Sequence, residues 1–196
     1  MKSELLFGAF PFIAGDKVSL SRMTELDLRD LWAIVGDDEN YRFMPTAALE
    51  SSAGCAAKLR QADALFRDRR AVVFGVYPTE GAHRLAGTLE VLDVDPKLEA
   101  VSLSFMIGRR DQDKGYAASA VRAVSKYLLG QVGVHRIQAM VLPVNTRACL
   151  VLERCGFRKE GTLREAFLWP DKGRVDVTVY SLLPADIEGR RKQILF

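Results

Sequence analysis

The sequence is poor in the residues that build metal centres and covalent scaffolds. It has three cysteines, Cys55, Cys149 and Cys155, and two histidines, His83 and His135. Three cysteines cannot all pair, and no Cys-x-x-Cys or Cys/His ligand spacing joins them. The expectation is a reduced, metal-free protein of the cytoplasm. Charge of one sign is scarce too. The net charge is only +3 and the arginines are spread along the chain, so the clustered basic stripe required for counterion-driven nucleic-acid binding is missing. The short run Arg67, Arg69, Arg70 reads as a solvated helix end. No apolar run is long enough to cross a membrane. Residues 5–13 are apolar, but Gly8 and Pro11 interrupt them, Glu4 precedes them and no small-x-small cleavage pattern follows. They read as an extended segment packed on the domain, not as a signal peptide.

What is present suits one unit. A chain of 196 residues, 48% of them hydrophobic, has the size and apolar content for one α/β domain with a full core. No internal repeat or Pro/Gly/Ser-rich linker divides it. This gives an N-terminal extended segment at 1–17, one domain at 18–184 and a tail at 185–196. Residues 18–23 alternate as a strand. Thr24 then caps a helix with Asp27 three residues on, and Leu28, Leu31, Trp32 and Val35 share one helical face. Residues 50–69, rich in Ala, Leu, Lys and Arg, form a second helix. The loop 36–47 between them carries Tyr41, Phe43, Met44 and Pro45, which wall a substrate or pack under the helices. Three strands follow at 71–77, 85–94 and 100–107. Then come a helix at 115–129, a strand at 136–142, a helix at 146–154 stopped by Gly156, and a hairpin of 157–169 and 174–183 across residues 170–173. The order describes a mixed α/β sheet.

The informative segment is Ile107-Gly-Arg-Arg-Asp-Gln-Asp-Lys-Gly-Tyr-Ala-Ala, which passes from a strand through a short loop into a helix. A pyrophosphate needs converging backbone N–H donors and the positive end of a helix dipole. Gly115 allows close approach or a positive φ, Ala117 keeps the first turn free of bulk, and Lys114 can add charge. The segment is no Walker loop, lacking Gly-Lys-Ser/Thr, and no dinucleotide fingerprint, lacking the glycines of G-x-G-x-x-G. An ordinary strand–loop–helix is the competing reading. In the second segment, Val141-Leu-Pro-Val-Asn145 ends a strand before the helix that leads to Cys155-Gly156-Phe157. Asn145 can meet an amide-rich ligand arm, cap the helix, or do both.

Together the two segments resemble the GNAT N-acetyltransferase superfamily over nearly the whole chain. The family's pyrophosphate signature, Gln/Arg-x-x-Gly-x-Gly/Ala, is matched by Gln112-Asp-Lys-Gly115-Tyr-Ala117. Its later signature, from Asn through a helix to Gly-Phe, is matched by Asn145 and Leu152-Glu-Arg-Cys-Gly156-Phe157. Glu160-Gly161 and Val179-Tyr180-Ser-Leu-Leu look like the RimJ/RimL branch, which acetylates protein N-terminal amines or related small amines. The resemblance implies a GNAT fold: a mixed, mostly antiparallel sheet of about seven strands flanked by helices, with two central parallel strands splayed into a cleft for acetyl-CoA. It implies pairing of the pantetheine with backbone of Phe105, Met106 and Ile107. The pyrophosphate would meet the amides of Gln112, Asp113, Lys114, Gly115, Tyr116 and Ala117, with Asn145 nearby. An amine then attacks the thioester directly, so Cys149 and Cys155 need not be nucleophiles. The family often forms dimers, so a homodimer is among the expected states.

Two departures from the family pattern bear on proton transfer. Ala148 stands where relatives often carry a Ser that protonates the leaving thiolate, which makes Tyr180 the candidate acid. Glu90 stands where many relatives have a small residue, and there it is either a proton relay from the incoming ammonium or a solvated or paired surface carboxylate. Acceptors compatible with this reading are a peptide N-terminus or a small-molecule amine such as an aminoglycoside or polyamine. A sensor module that binds acyl-CoA without turnover is the alternative.

Overall fold

The computed structural model describes residues 1–81, 83–169 and 172–187. The expected tail therefore lies outside the described residues from 188 on, as do Pro170 and Asp171 of the hairpin tip and Ala82 of the earlier turn. Eight strands form one sheet: β1 (Ile13–Ala14), β2 (Val18–Ser21), β3 (Val72–Pro78), β4 (Gly87–Asp95), β5 (Ala100–Ile107), β6 (Arg136–Val141), β7 (Arg158–Trp169) and β8 (Gly173–Leu182). Their order across the sheet is β1-β2-β3-β4-β5-β6-β8-β7. Every neighbouring pair is antiparallel except β5 and β6.

The strand beyond the seven expected is β1, a two-residue arm that pairs with β2 from inside the segment expected to be extended. The first part of that segment is not extended. Ser3–Phe7 is a helix, α1. Its neighbouring residues Leu6 and Phe7 are both buried, and on an extended chain adjacent side chains point to opposite faces. On a helix both fall within one apolar arc, and burying each is worth about 1.5–3 kcal/mol.

Helices cover both faces of the sheet. Residues two apart along a strand share a face, so Val72, Phe74 and Val76 line one core with Leu89, Val91, Val101 and Leu103. This core is closed by α1, by α5 (Tyr116–Tyr127) and by α6 (Thr146–Cys155). The opposite face carries a second core under α2 (Leu28–Val35) and α4 (Ala53–Arg67), built around Leu31, Ile34, Cys55, Leu59 and Tyr77. Thr24 and Asp27 form the expected capping box, and Tyr77 donates its hydroxyl to the same Asp27 carboxylate at 2.9 Å. The loop 36–47 contains one short helix, α3 (Asp38–Tyr41), capped by the Asp37 side chain. Among the described residues no helix is long and apolar enough to cross a membrane.

Candidate active site

The site begins where two strands part. The parallel pair β5 and β6 is in register only at Ala100/Arg136, Val101/Ile137 and Ser102/Gln138. Beyond that point β5 continues against β4 as far as Ile107, and β6 continues against β8 as far as Val141. The Gln138 amide donates to the Ser102 hydroxyl at 3.1 Å at the base of the fork. Gly108 donates its N–H to the Ala86 carbonyl on the β4 side. Alternation along the strand therefore turns the N–H and C=O groups of Leu103, Phe105 and Ile107 into the fork. Backbone polar groups seldom stay unpaired, so this edge is a ready partner for an amide-rich ligand arm. The backbone groups of Phe105 and Ile107 face the fork. Those of Met106, expected to join them, face β4 instead, and only its side chain lines the cleft.

The loop between β5 and α5 lies at the end of the fork. Gly115 precedes α5 with φ +82°, a left-handed conformation that costs a residue with a Cβ about 1–2 kcal/mol. Tyr116 and Ala117 then open the helix, and first-turn N–H groups have no carbonyl one turn back to bond. These donors and the dipole together suit a phosphate. The other loop residues brace more than they present. The Gln112 N–H reaches the Arg109 carbonyl at 3.4 Å. Its side-chain amide donates to the Ile107 carbonyl at 3.1 Å and accepts from Arg147 at 2.9 Å. Asp113 pairs with Arg147 at 3.5 Å. Lys114 donates to Asp111 at 2.8 Å.

Asp111 is the anchor that sequence reasoning missed. Its side chain is 1% exposed and is met by Arg84, Lys114 and Arg110, with Arg84 making a second hydrogen bond at 2.6 Å. Burial works to raise its pKa, but the hydrogen bonds from Arg84 and Lys114 win and hold it well below the usual carboxylate range. Arg110 runs on to Asp30 of α2 at 2.8 Å, which ties the loop to the opposite face of the sheet. Arg84 is distant in sequence and sits in an unremarkable turn, so no local pattern announced this cluster.

The fork opens into a cleft of about 510 Å³. Leu103–Met106 side chains, Ala139, Asn145 and Ala148 line the fork end. Tyr41, Phe43, Met44, Pro45, Lys58 and Gln61 line one wall, and Phe167, Trp169 and Val177 the other. The aromatic loop thus contributes to the cleft wall, and Tyr41 is also buried in the second core. Glu90 faces this space from β4, paired with Val73 and Ser104 across the sheet. Burial pushes its pKa upward, while the Lys58 charge pulls the other way. Asn145 combines its two expected roles in position: it lines the cleft, and its side chain caps α6 by accepting the Ala148 N–H at 3.2 Å.

Tyr180 does not reach the cleft. It is 2% exposed, lies on the sheet face under α6, and donates its hydroxyl to Glu153 at 3.0 Å. Burial, with hydrogen bonding to Cys149 and Glu153, pushes the phenol well above its ordinary range. The alternation that sends Val177 to the cleft sends Thr178, Tyr180 and Leu182 to the opposite face. The expectation that Tyr180 serves as acid is therefore corrected. Among the described residues no group of three or more His, Cys, Asp or Glu side chains could hold a metal ion.

Comparison with known proteins agrees with this geometry. The model of the acetyltransferase (GNAT) domain family matches residues 17–158. The uncharacterized N-acetyltransferase YoaA of Bacillus subtilis is 25% identical over 174 residues, covering 89% of this chain and 97% of its own. The [ribosomal protein uS5]-alanine N-acetyltransferase of Escherichia coli is 26% identical over 169 residues, 83% of this chain and 87% of its own. Among solved structures, Mycobacterium smegmatis RimJ in complex with CoA-disulfide superposes with a TM-score of 0.81 at 19% identity, covering 92% of this chain and 90% of that one. That last likeness is one of fold.

Proposed function

Since the chain belongs to the GNAT acetyltransferase family, we propose that it transfers the acetyl group of acetyl-CoA to the α-amine of a protein N-terminus, with Glu90 as the proton acceptor. The observation that carries this reading is the continuity of the site. The open edge of β5 and the first turn of α5 lead without interruption into a side-chain-lined cleft to which the described residues contribute one carboxylate, Glu90.

The residues fit acetyl-CoA as co-substrate. Phe105 offers its backbone N–H and C=O and Ile107 its N–H to the pantetheine arm, the Ile107 carbonyl being held by Gln112, and Gly115, Tyr116 and Ala117 offer the positive end of α5 to its pyrophosphate. Bound there, acetyl-CoA supplies an activated carbonyl. The N–H groups of Leu103 and Phe105 point into the fork, where they can stabilise the oxyanion that develops during attack. An ammonium must lose a proton before it attacks. Glu90 has a raised pKa from burial and no hydrogen bond to a described residue, so it is free to accept that proton. Ala148 supplies no hydroxyl, so water at the open mouth protonates the departing thiolate.

The cleft also sorts acceptors. A polycation calls for several carboxylates. Among the described residues this cleft has Glu90 alone, opposed by Lys58 and surrounded by apolar and aromatic side chains. A single amine on an otherwise uncharged backbone suits it better. None of the three cysteines forms a disulfide, which accords with a reducing compartment, and we take the cytoplasm as the enzyme's location. The test is thiol release from acetyl-CoA against N-terminal peptides, polyamines and aminoglycosides, with mass analysis of the acceptor. Peptides should gain one acetyl group at the α-amine. Acetyl-CoA binding without thiol release on any amine would sink the reading in favour of a non-catalytic binder.

A further inference from the structure

Lys58 breaks the pattern of its helix. The inward stripe of α4 runs through Cys55, Leu59, Ala62 and Leu65, and an ammonium on such a stripe needs a reason. Lys58 lines the cleft with Glu90. Its ammonium lies 6.0 Å from the centre of the Tyr41 ring, and no carboxylate of the described residues pairs with it. Glu90 feels its charge, but the two do not close into an ion pair. Among the described residues that line the cleft, Lys58 of α4 is thus the one cation and Glu90 of β4 the one anion.

We propose that Lys58 selects acceptor N-termini that carry an acidic side chain at the first or second residue, the amine facing Glu90 and the acidic group facing Lys58. This rests on the reading of the protein as an N-terminal acetyltransferase. A zwitterionic end of this kind compensates both cleft charges at once. A basic second residue would place like charges together and be rejected. The Tyr41 ring face lies beneath the ammonium and favours its charge there.

Three peptides that differ only at the second residue, Glu, Gln or Lys, test this with the wild-type chain, Lys58→Met and Lys58→Glu. The wild type should favour Glu over Lys by roughly tenfold or more in kcat/KM, the equivalent of about 1.4 kcal/mol, and added salt should shrink the preference. Lys58→Met should erase it, and Lys58→Glu should invert it. The salt effect on the wild type alone tests the idea should either variant fold poorly. Equal rates on all three peptides, or a preference that survives in Lys58→Met, overturns the proposal. So does an identical shift of the pH profile for all peptides, which would mean that Lys58 only tunes Glu90. Absence of turnover on every peptide is a different failure, that of the N-terminal acetyltransferase reading itself.

Discussion

The two ends of the cleft are made of different material. In the proposed reading the groups that hold the acyl donor at the fork end are mostly main-chain, the turned-out amides of β5 and the first turn of α5, with the lining side chains packed around them. At the acceptor end they are side chains from four separate places: β4, α4, the loop 36–47 and the β7–β8 hairpin. Backbone groups are the same in every sequence, so only the shape of the chain must be kept, here by one Gly at positive φ and the ion cluster around Asp111. Side chains can be exchanged singly without moving the sheet. One scaffold can thus hold its acyl donor constant while its acceptor changes.

That contrast can be broken at its strongest point. Gly115→Val should weaken CoA binding by roughly a hundredfold or more, since a branched residue is strained at this positive φ and crowds the phosphate approach. A Cβ there would meet nothing of the protein closer than Lys17 Nζ at 3.5 Å, so the fold should survive, with an unchanged circular dichroism spectrum. Calorimetry showing wild-type CoA affinity would move the phosphates elsewhere. At the acceptor end, Glu90→Gln should leave CoA affinity intact and lower turnover by about a hundredfold or more. Because burial raises the Glu90 pKa, its basic form is lost as pH falls through a value above the ordinary carboxylate range. The wild-type rate should therefore decline on the acid side from that higher pH, and the Gln variant should lack this limb. Superimposable pH profiles would reduce Glu90 to a wall residue.

The same division explains what could be read in the sequence. The order of elements along the chain and the left-handed glycine follow from local patterns: alternation, caps and a Gly where a strand turns into a helix. The two signature segments were legible through their resemblance to a family. Helix α1 escaped because a Gly/Pro-punctuated apolar run resembles an extended arm until the partners that bury Leu6 and Phe7 are known. Met106 and Tyr180 escaped for a finer reason. Whether a residue serves the cleft depends on strand parity, and parity is set by register, here revealed by one hydrogen bond at Gly108 and by the pairing of Val177. Asp111 was invisible because its partner Arg84 is brought to it only by the fold. Asp111→Asn should destabilise the protein by about 1.5–3 kcal/mol, the range of a hydrogen bond to a charged group, because the cations left behind stay partly exposed and can be rehydrated. Its KM for acetyl-CoA should rise several-fold with the acceptor's KM little changed, since the cluster braces the phosphate loop. The sign with pH is fixed by the lowered pKa of Asp111. Its stabilisation is complete above the unfolded value of about 3.9 and lost as pH falls below it. The stability gap between wild type and variant should be constant near neutrality and close in acid. A gap that widens in acid would mean that the cluster does not hold Asp111 ionised.

The smallest effect is expected at Tyr180, and its smallness is informative. A phenol that donated to the leaving thiolate would have to reach the fork, yet this hydroxyl is turned the other way and already donates to Glu153. Tyr180→Phe keeps the ring in the core and deletes the hydroxyl's hydrogen bonds to Glu153 and Cys149, a change worth about 1 kcal/mol for each. The Glu153 carboxylate stays partly open to solvent at the helix surface, so it can be rehydrated and adds little to that cost. Melting should show a modest loss of stability, and turnover on an accepted peptide should equal that of the wild type when chemistry is rate-limiting. If instead turnover fell with stability almost unchanged, the face assignment of β8 would be wrong in the working enzyme. The fork would then have a side-chain acid after all, and its main-chain character would extend only to the binding of acetyl-CoA, not to the departure of the thiolate.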